Sequence, residues 1–140
     1  MLLTLRETRL AKSGRWFKKG PETVPRTRDE KTLREGARAI LCARCGQRIT
    51  SASARISMGG EHVHVRSNPH GYVWRFGCFD EATGCALAGT PTDEHTWFSG
   101  CRWQVAYCSS CELLLGWSFT GAGRFWGLIL EHLVEEQPPS

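Results

Sequence analysis

Four cysteines of this chain fall into two Cys-x-x-Cys pairs, Cys42 with Cys45 and Cys108 with Cys111, and three tryptophans, Trp97, Trp103 and Trp117, bracket the second pair. A gap of two residues lets both thiolates of a tight knuckle point at one ion. Two such knuckles complete a tetrahedral set of four thiolates, of the kind that holds zinc with Zn–S distances of about 2.3 Å. Four protein ligands leave no open position, so the predicted Zn2+ is structural and not catalytic. Its binding free energy is then folding free energy, on the order of 10 kcal/mol. One pair alone would suit a redox couple equally well; two pairs favour zinc. Knuckles of this kind occur on many folds, so they identify a metal and not a function. Cys78, Cys85 and Cys101 are left over. Packing as small apolar side chains is the default for all three. The sharper alternative, Cys101 as a reactive nucleophile, has no adjacent base suggested by spacing.

The tryptophans suggest a second kind of chemistry. Six in a chain of 140 residues is heavy, and each indole N–H needs a partner when buried. Trp97 and Trp103 flank Ser99-Gly100, a turn signal that places them on two arms of a bend. Trp117 and Phe119 are two apart and share one face of a strand. The bland alternative is ordinary core. If the indoles form a box, it could hold a cation by cation–π attraction, with Asp93 and Glu94 in support. It could equally hold a small neutral ring by apolar contact, with His95, the backbone of 95–97 and Asn68 reading its polar edge. The residues alone leave both open.

The elements that must carry these groups read as short strands. Segments 62–65, 72–76, 103–107 and 113–119 alternate or run apolar, separated by Gly59-Gly60, Asn68-Pro69, Gly84, Gly89, Pro91, Ser99-Gly100, Gly121 and Gly123. Period-2 patterning with frequent turns predicts a mainly β domain of antiparallel sheet. The last segment, 124–136, is long enough for a helix but begins as a strand, and mostly strand is expected. His62 and His64 are expected to face solvent, His70 to serve the turn begun by Asn68-Pro69, and nothing in the sequence gives His132 a partner.

The bulk numbers bound the rest. A chain of 140 residues supports one domain. Its odd count of seven cysteines, two pairs of them metal-spaced, points to a reducing compartment and a cytoplasmic protein. No apolar run approaches the roughly 18 residues of a membrane span, and the N-terminus lacks the uninterrupted apolar core of a secretory signal. Residues 1–38 carry 11 Lys+Arg against 5 Asp+Glu, whereas 39–140 carry 7 against 9. The basic character therefore belongs to a leader over 1–38, expected to be disordered, and not to the domain assigned to 39–134 or the tail over 135–140. A domain charge of −2 argues against a zinc-ribbon nucleic-acid binder, and neither nucleic acid nor membrane is expected as a partner.

The motifs SNPHGYV (67–73), DEHTWFSGCRW (93–103), CSSC (108–111), GWSF (116–119) and FWGL (125–128), in that order with the cysteine pairs among them, resemble the thalidomide-binding domain of the cereblon family, the CULT domain. The resemblance covers about residues 40–133 and looks like that of a free-standing, bacterial-type single-domain homologue. It implies a β-tent, two antiparallel sheets at an angle joined by the zinc site. It also implies a non-catalytic module whose cage walls are Trp97, Trp103 and Trp117, with Phe119 lining one side. His95 and the backbone N–H of Trp97 would take the polar edge of a cyclic imide, with Asn68 at the mouth. The implied ligands are glutarimides of the thalidomide type, uridine-like rings and cyclic imides at protein C-termini, bound by a monomer. The alternative is an enzyme: zinc-stapled β folds of this type also resemble methionine sulfoxide reductases, and Cys101 would then be the nucleophile.

Overall fold

The computed structural model describes residues 38–137. All but Arg38 of the leader assigned to 1–38, and residues 138–140 of the assigned tail, lie outside it. Among the described residues nine strands follow one another: β1 (Ala39–Cys42), β2 (Arg48–Ser51), β3 (Val63–Ser67), β4 (Val73–Phe79), β5 (Cys85–Thr92), β6 (Arg102–Cys108), β7 (Leu114–Thr120), β8 (Arg124–Ile129) and β9 (Leu133–Glu135). Two single turns of 3-10 helix, Ala52–Ala54 and Leu130–His132, interrupt them. The strands build a three-stranded sheet ordered β9-β1-β2 and a six-stranded sheet ordered β3-β4-β8-β7-β6-β5, and every pairing is antiparallel. The mainly β expectation and its two antiparallel sheets hold.

The final segment is indeed mostly strand, broken once: β8 belongs to the large sheet and β9 to the small one, with the Leu130–His132 turn between. Glu135, assigned to the tail, is the last residue of β9. It pairs in register with Ile40, and its carboxylate meets Arg38 at 3.0 Å and Arg55 at 2.7 Å.

Two apolar clusters divide the interior. The first gathers Ile40, Cys42 and Ile49 of the small sheet with Phe79, Cys108, Leu115 and Leu128 of the large one, so it joins the sheets. The second, around Phe76, Trp117, Phe119, Phe125 and Ile129, is bordered by Trp74, Trp97, Phe98, Trp103, Val105 and Leu114.

One irregularity decides which residues reach which cluster. Val105 pairs with Trp117, Ala106 with Gly116, and Tyr107 with Leu114, so Leu115 is an extra residue in β7. This β-bulge moves the residues before it to the opposite face. Leu114 therefore joins Trp117 and Phe119, although it stands three residues from Trp117, while Leu115 turns to the first cluster. The bulge needs Gly116, whose φ of +148° carries it close to β8. A Cβ built there would lie 1.9 Å from the Gly127 carbonyl oxygen.

His62 and His64 correct the expectation of solvent-facing side chains. They face inward while Val63 and Val65 stand 37% and 55% exposed. The ring of His64 lies parallel to that of Phe76, with centroids 5.8 Å apart, and edge-on to Phe98 at 5.4 Å. His62 packs edge-on against Phe79 at 5.3 Å and bonds the Ile56 carbonyl through Nδ1. Each polar ring satisfies a loop carbonyl while covering an aromatic, a pairing that valine cannot supply.

Candidate functional site

The two Cys-x-x-Cys pairs form matching knuckles. In the first, Cys42 N–H donates to the Gln47 carbonyl and Gly46 N–H to the Cys42 carbonyl; in the second, Cys108 N–H donates to Leu113 and Glu112 N–H to Cys108. The fourth residue after each leading cysteine takes a left-handed φ, +83° at Gly46 and +68° at Glu112. Arg44 and Ser110 N–H groups each point at the leading sulfur from 3.4 Å, and such donors stabilise thiolate charge. The knuckles come from different sheets, yet Cys42 Sγ lies 3.6 Å from Cys111 Sγ and Cys45 Sγ 3.6 Å from Cys108 Sγ. All four sulfurs fall within 4.8 Å of one another, so the cluster could hold a metal ion.

The other three cysteines are set apart by burial. Burial pushes the Cys101 thiol up to about 12, raises Cys85 to about 12 together with the nearby Cys108 charge, and holds Cys78 higher still. A nucleophilic cysteine needs its thiolate. Cys101, 3% exposed and packed in the second cluster, is suited to structure and not to attack.

The second cluster opens into a cavity of about 350 Å³ lined by Asn68, Pro69, His70, Trp74, His95, Trp97, Trp103, Val105, Leu114, Trp117 and Phe119. The structure thus brings Asn68, His95, Trp97, Trp103, Trp117 and Phe119 to one place. Trp103 and Val105 are two apart on β6 and share a face; their register partners on β7 are Phe119 and Trp117. The four make one continuous wall. Trp97 enters from the segment between β5 and β6. Its ring stacks on Phe76 at 5.4 Å and stands edge-on to Trp117 at 4.8 Å, 78° between planes.

Both loop-facing indoles are fixed by their N–H groups: Trp97 Nε1 donates to the Ser67 carbonyl at 3.1 Å and Trp103 Nε1 to the Glu94 carbonyl at 2.9 Å. These bonds answer the demand for an indole partner and set the angles of the walls. His95 holds φ +59°, an uncommon conformation for a residue with a side chain, and its exposed ring lies 3.9 Å from the Glu94 carboxylate. Asn68 bends its own loop. Its Oδ1 accepts from the backbone N–H of His70 and of Tyr72, each at 3.0 Å, the Asx-turn chemistry expected of this residue type.

Four further lining residues were not anticipated for the cavity: Trp74, Pro69, Val105 and Leu114. Trp74 carried a signal, its indole sitting at an alternate position of the 72–76 strand segment. Leu114 carried none, because the bulge that turns it inward lies within a run of three leucines. His70, expected to serve the turn, does so through its backbone and also lines the cavity. His132, given no partner by the sequence, meets the Leu114 carbonyl through Nδ1.

No family model matches the chain. Among curated proteins it is 31% identical over 125 residues to protein cereblon of Danio rerio, 30% to that of Gallus gallus and 31% to that of Xenopus tropicalis. Each match covers 82% of this chain and 28% of the relative's length.

Proposed function

Because the chain carries a cereblon-like domain of the CULT type, we propose that it is a non-catalytic binding module that holds a small neutral ring in its aromatic cavity. The ring is a cyclic imide such as glutarimide, free or at a protein C-terminus, or a uridine-like ring. Trp97, Trp103 and Trp117 are the cage walls, Phe119 lines one side and Asn68 borders the mouth. The carbonyl of His95 and the N–H of Trp97 meet the imide's N–H and carbonyl groups. One observation carries this reading: among the described residues that line the cavity there is no Asp, Glu, Lys or Arg, while four are tryptophans. A cation would find π-faces but no carboxylate, whereas a neutral ring needs only apolar walls and a few backbone partners. A volume of about 350 Å³ stands at the small end for ligand cavities and suits a single ring.

We assign zinc to the cysteine cluster. Tetrahedral zinc with thiolates at about 2.3 Å sets sulfurs about 3.8 Å apart, and the observed 3.6 Å contacts fit. The ion supplies cross-linking and no catalysis. Free metal-spaced thiols favour a reducing compartment, which supports a cytoplasmic location, and the module is taken to act as a monomer.

Titrating glutarimide, uridine and tetramethylammonium against tryptophan fluorescence tests the reading. The two neutral rings are expected to bind with little dependence on salt. Trp97→Ala should lower their affinity by about 10- to 100-fold, from the lost burial and stacking of one indole. Selective binding of the ammonium compound, or unchanged affinity in both Trp97→Ala and Trp117→Ala, would overturn it.

A further inference from the structure

The sheet that carries the aromatic cavity has a second face. Trp103, Phe119 and Phe125 stand side by side on β6, β7 and β8, on the side of the second apolar cluster. Strand alternation turns their chain neighbours Arg102, Thr120 and Arg124 to the opposite side. These three are in register too, Arg102 with Thr120 and Thr120 with Arg124. Two guanidinium groups therefore flank one hydroxyl, each a single strand spacing of about 4.8 Å from it at the backbone.

The trio is not neutralised by its surroundings. Both arginines are exposed, and among the described residues neither makes an ion pair: the carboxylates that meet arginine, Glu131 and Glu135, serve Arg75, Arg38 and Arg55. The next row inward, Gln104, Ser118 and Trp126 in register, adds donors and no acid. There the Ser118 hydroxyl and the Trp126 Nε1–H are buried without a hydrogen-bond partner among the described residues, and an indole N–H can only donate.

The groups are also held in place. The Arg124 guanidinium lies over the Trp126 ring, 5.5 Å from its centroid, and Trp126 packs on the first apolar cluster. Gly121 N–H bonds the Gly123 carbonyl at 2.8 Å, closing the hairpin between Thr120 and Arg124, and Cys101 N–H bonds the Phe98 carbonyl at 2.9 Å where the chain enters Arg102. Preorganised donors lose little freedom on binding.

We propose that Arg102, Thr120 and Arg124 form a phosphate-binding site on the back of the cavity wall. A terminal phosphate group presents three acceptor oxygens to two guanidinium forks and one hydroxyl, and the planar arginine fork matches it. A carboxylate has only two oxygens for these three partners. The ligand class is inorganic phosphate or a phosphate monoester, and its binding is independent of any ring in the cavity.

Inorganic phosphate and O-phosphoserine, titrated separately into the isotope-labelled full chain at low ionic strength and followed by amide and arginine Nε–H chemical shifts, test the site. Saturable shifts centred on Arg102, Thr120 and Arg124 are expected. Arg102→Gln and Arg124→Gln should each weaken binding by about 10-fold or more, the range of one charge-assisted hydrogen bond, and Thr120→Val by less. Arg48→Gln removes the same charge from an exposed position on the small sheet and should leave the affinity within about twofold of the wild type. Tighter binding of O-phosphoserine assigns the site to phosphate esters, and tighter binding of inorganic phosphate assigns it to the free anion. Shifts that never saturate, or an Arg48→Gln loss as large as that of Arg102→Gln, would show general charge attraction and overturn the site.

Discussion

His64 keeps an ionisable ring 7% exposed, between Phe76 and Phe98. Its hydrogen bonds define one neutral tautomer: Nε2–H donates to the Glu61 carbonyl at 3.0 Å, and Nδ1 accepts from Arg66 Nη2 at 3.4 Å. Protonation would set a second N–H against the Arg66 guanidinium, which itself lies over Phe98. Burial, first, and the Arg66 charge hold the pKa below the ordinary histidine value, against the opposing Glu61 carbonyl. With the folded pKa depressed, the unfolded chain takes up the proton first as pH falls below about 6.5. The stabilisation is present above that value and is lost as pH falls toward the folded pKa. The melting temperature should therefore decline as pH drops below about 6.5, and His64→Gln should show a shallower decline. Parallel pH profiles for the two proteins would rule this out. The effect should reach the cavity, because Phe76 lies flat against both His64 and Trp97.

At the scale of elements, β7 does most to shape the site, through its bulge. The sequence pattern made clear that 113–119 is a strand and that Trp117 and Phe119 share a face. Three consecutive leucines, however, give no period from which an extra residue could be seen, so Leu114 stayed hidden as a lining residue. The 62–65 segment misled for the opposite reason: its alternation is plain, but burial goes to the histidines, because hydrogen bonds and ring contacts outweigh the valine side chains there. The cysteine knuckles and the tryptophans were legible because their chemistry fixes type and spacing together. Gly116 makes the bulge testable. Alanine there would combine a disfavoured φ with a Cβ 1.9 Å from the Gly127 carbonyl, at a cost of about 2–5 kcal/mol. Urea unfolding of Gly116→Ala should show that loss, with weaker ring binding as Trp117 and Leu114 shift. A midpoint equal to the wild type would mean that β7 and β8 can part without penalty.

The described residues 38–137 build two sheets joined by the first apolar cluster and by hydrogen bonds between them, and the cysteine cluster is the strongest candidate for a cross-link. Ala43 N–H donates to the His132 carbonyl, Gly84 N–H to Ile49, Ser109 N–H to Gly84, and the Gln47 side chain to Ser109 Oγ at 2.6 Å. These bonds surround the knuckles, and the first apolar cluster continues from Cys42 and Cys108 inward. Cys45 and Cys108 are 63 residues apart in sequence, so an ion held by the cluster would close most of the domain. The same knuckle ends β6 and precedes β7, the strands that carry Trp103, Val105, Trp117 and Phe119. Structural zinc contributes on the order of 10 kcal/mol, comparable to the whole stability of a domain. Removing the metal with a chelator should therefore unfold the domain, abolishing near-ultraviolet dichroism and ring binding together. Cys108→Ser should do the same, and restoring zinc to the chelated wild-type protein should recover both signals. A chelated, metal-free protein that still folds and binds the ring would show that packing and hydrogen bonds between the sheets suffice without the ion.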